Sequence, residues 1–163
     1  MFTDDQRKAV WGEMLDAETR SLYFASLESR YETHEQRVTL LILLLSSGSV
    51  ASLLADIPAD YHWLRAALPA ITAALSGFLL LERHSSKARM CSHLHTRLAK
   101  LSTNYEHLWG NLDDPGSLEQ WERLQTMGRD ISEAATQLPN KERQLRRWQS
   151  FVLRRRKLAP AAT

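Results

Sequence analysis

The chain has 163 residues, a formal net charge of +2 and a single cysteine, with 44% of its residues hydrophobic. That length suits one domain, and the lone Cys91 excludes an intramolecular disulfide framework while agreeing with a reducing compartment. The average hydrophobic content is ordinary, so the information lies in how the apolar residues are segregated along the chain.

The first segment, residues 4–37, reads as an amphipathic helix. Trp11, Leu15 and Leu22, with Met14, Ala25 and Tyr31 nearby, recur near helical spacing among charged residues. Uncharged residues then run without a break from Val38 to Ala55. At the helical rise that run spans roughly 27 Å, against a hydrocarbon core of roughly 30 Å, so it meets the length of a membrane span. The 37 residues before it carry eight acidic and five basic side chains, unlike the short basic start of a cleavable leader, and the run is expected to stay as an anchor.

A second uncharged run, from Ala66 to Leu81, reaches roughly 24 Å and needs the residues from Tyr61 to Leu64 to complete a span over 62–81. Tyr61 and Trp63 are amphipathic aromatics suited to a headgroup boundary, and Arg65 can snorkel outward from the helix end. Asp56, Pro58 and Asp60 supply the turn between the runs. The pattern predicts a two-helix transmembrane hairpin, with spans over 38–55 and 62–81. Arg30 and Arg37 precede the hairpin, and Arg83, Lys87 and Arg89 follow it, which places both termini in the cytoplasm.

Beyond the hairpin, Cys91, Leu94, Leu98, Leu101, Tyr105 and Leu108 alternate steps of three and four, the register of a helix packed along partner helices. A cytoplasmic extension over 82–110 follows, closed by the turn residues of 111–116. Ser117 is positioned to cap a third helix, whose apolar face is Trp121, Leu124, Ile131 and Leu138 with Met127, Ala134 and Ala135. From Lys141 to Lys157 there are eight basic side chains and one acidic, a local balance of +7. Leu145, Trp148 and Val152 step by three and four there, so this C-terminal region of 117–163 is expected to end in a basic amphipathic helix. The predicted fold is thus all-α: a membrane hairpin with long cytoplasmic helical extensions, residues 1–110, and a further helical region.

Small and weakly polar residues supply the candidate sites inside the hairpin. Ser46, Gly48, Ser49, Ser52, Thr72, Ser76 and Gly77 are candidates for close helix packing or for lining a gated, oligomer-dependent path, although hydroxyls in such helices commonly bond back to their own backbone. Leu94, Leu98, Leu101, Tyr105 and Leu108 form the cytoplasmic packing face. In the basic segment, Lys141, Arg143, Arg146, Arg147, Trp148, Arg154, Arg155, Arg156 and Lys157 are candidates for binding membrane lipid, a protein partner or nucleic acid. Lipid is the first expectation, because a membrane is adjacent. His84, His93 and His95 near Cys91 lack a second pair of ligands at matching spacing, so no metal is expected. No phosphate-binding glycine loop, nucleophile elbow or paired-acid arrangement appears, and neither a cofactor nor an enzyme is expected.

The Trp11-containing lead-in, the stretch from Tyr31 to Arg37, the short outer turn and the long helix from Glu82 through Trp109 resemble the SLATT family across about the first 110 residues. These are two-transmembrane effector domains found beside nucleotide synthetases, nucleotide sensors and some reverse transcriptases in bacterial conflict operons. The resemblance implies a homo-oligomeric antiphage effector of the bacterial inner membrane. On this reading an infection signal, relayed by an operon-encoded partner of one of those kinds, repacks the cytoplasmic helices and permeabilises the membrane. The basic segment after Pro139 has no counterpart in that resemblance. A phage holin-like protein, a noncatalytic membrane scaffold that recruits a cytosolic partner, and a soluble helical adaptor are the competing readings.

Overall fold

The computed structural model describes residues 2–45, 67, 70–74, 76–77 and 84–158, and among them every regular element is an α-helix. In chain order these are α1 (Asp4–Leu45), α2 (His84–Gly110), α3 (Ser117–Ala135) and α4 (Glu142–Leu158). The chain divides into two compact units: Met1–Glu28 with Arg89–Thr163, and Ser29–Ala88. Helices α1 and α2 each carry the chain from one unit into the other.

In the first unit, α1 begins with a reciprocal cap. The Thr3 N–H donates to Gln6 Oε1 at 2.9 Å and the Gln6 N–H donates to Thr3 Oγ1 at 3.3 Å, which satisfies donors the first turn would otherwise leave open. From there α1 is the central element, because it touches each of the other three helices. The Ser21 hydroxyl lies 2.9 Å from Nδ1 of His95 on α2. The carboxylate of Glu13 accepts from Trp121 Nε1 at 2.7 Å and from Gln125 Nε2 at 2.9 Å, both on α3. Glu18 accepts from Arg156 on α4.

A helix enclosed on three sides buries more than one stripe. Val10, Met14, Ala17, Thr19, Ser21, Tyr23, Phe24 and Leu27 are all buried, whereas Trp11, Leu15 and Leu22 are only half-buried. This corrects the face drawn from the large apolar residues: Trp11 instead pairs with Trp109, ring centroids 5.2 Å apart. Helix α2 buries Cys91, Leu94, Leu98, Leu101, Tyr105 and Leu108 along one unbroken face. Leu124 and Ile131 of α3 and Val152 of α4 complete the core.

Two connections hold the bundle closed. Gly116, at φ 96°, takes the left-handed conformation that only glycine adopts without strain, and it starts α3. Ser117 is not the cap expected of it; its buried hydroxyl points backward and donates to the carbonyls of Asn111, at 2.7 Å, and Asp114, at 2.8 Å. Between α3 and α4, the Tyr23 hydroxyl donates to the Pro139 carbonyl at 2.5 Å and accepts from the Lys141 N–H at 3.0 Å, tying that turn to α1.

The second unit has the opposite distribution of apolar surface. Its part of α1 ends in Val38–Leu45, where Leu40, Leu41, Leu43 and Leu44 are 61, 47, 64 and 58% exposed, and Ile71 is 49% exposed. Among the described residues, no helix is long and apolar enough to cross a membrane. Most of the expected spans, including residues 46–66 and the outer turn, lies outside the described residues.

Candidate functional site

Helix α4 concentrates the charge of the chain, and its environment sorts the basic residues into two groups. Val152 is fully buried, with Leu145 and Trp148 half-buried on the same side, so the apolar stripe docks the helix on the bundle. That docking turns Arg156 inward. Its Nε donates to Glu18 at 3.0 Å and its Nη1 to Glu106 at 2.7 Å, so one guanidinium joins α4, α1 and α2. Arg155 reaches the same Glu18 carboxylate at 3.6 Å.

The electrostatic response is mutual. The hydrogen bond from Arg156 holds the Glu106 carboxyl below its ordinary range, and the two carboxylates push the Arg156 guanidinium higher still. The Arg156 side chain is 22% exposed and that of Glu18 14%, so this cluster is screened less than an open surface pair. Arg156 is therefore an internal clasp, its guanidinium engaged by two carboxylates of the bundle. Trp148 is half-buried, and within α4 its ring meets Phe151 edge-on with centroids 5.7 Å apart.

The other basic candidates stay on the surface. Lys141, Arg143, Arg146, Arg147, Arg154 and Lys157 are exposed, as is Arg155 beyond its contact with Glu18. Arg146 pairs with Glu142 at 3.4 Å, where both side chains are 79% exposed and the pair adds little. Among the described residues, Arg143, Arg147, Arg154 and Lys157 have no carboxylate within ion-pair distance.

Leu94, Leu98, Leu101, Tyr105 and Leu108 lie in the core of the first unit. Tyr105 sits beside Glu13, and burial, reinforced by that carboxylate, lifts its phenol well above the usual range. Burial likewise pushes the Cys91 thiol up to about 11. His95 is occupied with Ser21, and among the described residues no group of histidine, cysteine and acidic side chains could hold a metal ion.

Of the hairpin candidates, Thr72, Ser76 and Gly77 are described. The Ser76 hydroxyl donates to the Thr72 carbonyl at 2.8 Å, so its proton is used within the helix. A methyl group added at Gly77 would meet nothing within 4 Å among the described residues. Ser46, Gly48, Ser49 and Ser52, and the interface anchors Tyr61, Trp63 and Arg65, lie outside the described residues.

Interhelical clefts indent the first unit. One of about 350 Å³ is lined by Tyr23, Phe24, Ala135, Leu138, Pro139 and Leu145 among others, and another, of about 280 Å³, by Glu13, Asp16, Arg20, Tyr105, Arg129 and Ser132 among others. Sequence reasoning missed the Glu18–Arg156–Glu106 clasp and the Glu13 acceptor. Their partners are far apart in the chain, and no local pattern marks them. Comparison of the chain with protein-family models, with curated proteins and with solved structures finds no match.

Proposed function

We propose that this chain is a membrane effector of a bacterial antiphage defence system, which oligomerises in the inner membrane and permeabilises it on an infection signal. One observation carries the reading: Leu40, Leu41, Leu43 and Leu44 are exposed over one broad arc of α1, about 160° wide at the helical period, opposite the half-buried Val38 and Ile42. Water disfavours so broad an arc of large apolar side chains, whereas hydrocarbon covers it without cost. The uncharged run continues in sequence to Ala55, and a second follows from Ala66 to Leu81, which supports a hairpin with both termini cytoplasmic.

The first unit is the sensing and assembly part, in keeping with the resemblance to SLATT domains. Helices α1 and α2 run from it directly into the second unit, so a signal from an operon-encoded nucleotide synthetase, sensor or reverse transcriptase has a covalent route to the hairpin. For such a signal to act, it must bind the quiet and open packings of the bundle unequally. Induced expression with a membrane-potential dye tests this. Depolarisation and growth arrest under triggering conditions are expected; unchanged polarisation with normal growth under those conditions would overturn the effector role.

A noncatalytic membrane scaffold is the second reading, favoured by the unpaired cations of α4. It differs in outcome: neutralising those cations would abolish recruitment of a partner, and the membrane would stay polarised in every condition.

A further inference from the structure

The outward face of α4 is not a generic basic surface. At about 3.6 residues per turn, Arg143, Arg146, Arg147, Arg154 and Lys157 fall within an arc of about 100° opposite Val152. Along the axis they cover about 21 Å. Two apolar side chains border the arc, Phe151 on one edge at 49% exposure and Leu153 on the other at 38%. The helix thus presents a row of cations with a large apolar residue on each flank, and its opposite side is fixed to the bundle by Val152 and the Arg156 clasp.

We infer that this face is a docking surface for anionic lipid headgroups, with Arg143, Arg147 and Arg154 meeting the phosphates and Phe151 and Leu153 settling at the headgroup boundary. Charge complementarity identifies the ligand as a polyanion, since four of the five cations have no carboxylate partner among the described residues. The two apolar flanks favour a surface with a hydrocarbon boundary over a fully hydrated phosphate backbone. The choice of a bilayer over other polyanions rests on the membrane reading given above. Because the broad apolar stripe of α4 is occupied by the bundle, attachment is mainly electrostatic and weakens as salt rises.

A probe at Ser150 tests the surface in the full chain. Ser150 is exposed among the cations, and the native thiol of Cys91 is fully buried, so a Ser150→Cys variant takes an environment-sensitive fluorophore selectively. The labelled protein is reconstituted into vesicles of phosphatidylcholine alone, or of phosphatidylcholine mixed with phosphatidylglycerol. A blue shift in the mixed vesicles alone is expected, reversed by salt and lost when Arg143→Glu, Arg147→Glu and Arg154→Glu are combined. The milder triple replacement by Gln should lose the shift, and replacement by Lys should keep it, which separates charge from any effect on folding.

Identical spectra in both vesicle types, or a shift that survives the Glu and Gln triples, would overturn the inference. So would a shift produced by single-stranded or duplex oligonucleotides but not by phosphatidylglycerol. Flotation distinguishes the two readings: protein that floats with neutral vesicles but shows no probe shift with the mixed ones refutes the α4 surface alone. Protein that floats only with anionic vesicles and loses that attachment in the Glu triple refutes the hairpin and keeps the surface.

Discussion

The two ends of α1 treat the same kind of side chain in opposite ways. Between Val10 and Leu27 six apolar side chains, Val10, Met14, Ala17, Tyr23, Phe24 and Leu27, are buried in the bundle; between Val38 and Leu45 four leucines stand exposed on one continuous helix. Hydrophobicity therefore does not decide burial by itself: what is available to cover the surface does. In the first stretch the cover is protein, and polar residues such as Thr19 and Ser21 are buried along with the apolar ones. In the second, four exposed leucines call for an apolar cover, and the proposed function assigns that cover to a bilayer.

Substitutions at the two ends should separate on this basis. Leu108→Ala, in the enclosed core, is expected to cost about 2–5 kcal/mol of bundle stability, read by chemical denaturation in detergent. Leu43→Asp should leave that transition where it is and instead reduce membrane insertion, by about 2.5–3.5 kcal/mol for a charge near a span centre. Equal destabilisation of the bundle by both would break the comparison.

The enclosed end can also be probed through Cys91. Burial favours its neutral thiol, so that contribution to stability is complete below pH 9 and is lost as pH rises from 9.0 towards the folded value of about 11. At neutral to mildly alkaline pH, alkylation of the native chain should be slower than that of the unfolded chain by on the order of 100-fold, from thiolate fraction alone. Labelling at the unfolded rate would mean that α2 is not packed as described.

Charge within the bundle is a smaller term. Arg156→Ala leaves two carboxylates without their shared donor, one of them largely buried, and should cost about 1–3 kcal/mol, whereas Arg143→Ala should stay within about 0.5 kcal/mol. The depressed Glu106 fixes the sign with pH. Its contribution is present above the ordinary carboxylate value and is lost as pH falls through the lowered one, so Arg156→Ala should flatten the acid limb of the stability profile. The smallest effect is a gain: Gly128 lies in α3, and a methyl group there would meet only Leu101 Cδ2 at an ordinary 3.6 Å. Gly128→Ala should add about 0.5–1 kcal/mol to thermal or denaturant stability.

How well the sequence could be read tracks how local the cause is. The face from Leu94 to Leu108 is legible because α2 repeats large apolar residues in unbroken steps of three and four. The face of α1 is not, because Ala17 is small and Thr19 and Ser21 are polar, yet all three are buried. In the basic segment, the helix and its apolar stripe follow from Leu145, Trp148 and Val152. That Arg156 turns inward depends on Glu18 and Glu106, 138 and 50 positions away. Ser117 has the residue type of a cap, but the left-handed Gly116 before it starts the helix and leaves that hydroxyl to bond the preceding turn.

The exposed leucines of α1 are tested most directly by separating membranes from cytosol without detergent and washing them at alkaline pH, with the native chain and its Leu43→Asp variant side by side. The native chain should remain in the washed membranes and the variant should be released in part. Recovery of the native chain in the aqueous fraction as a compact monomer would contradict the bilayer as the cover for those side chains.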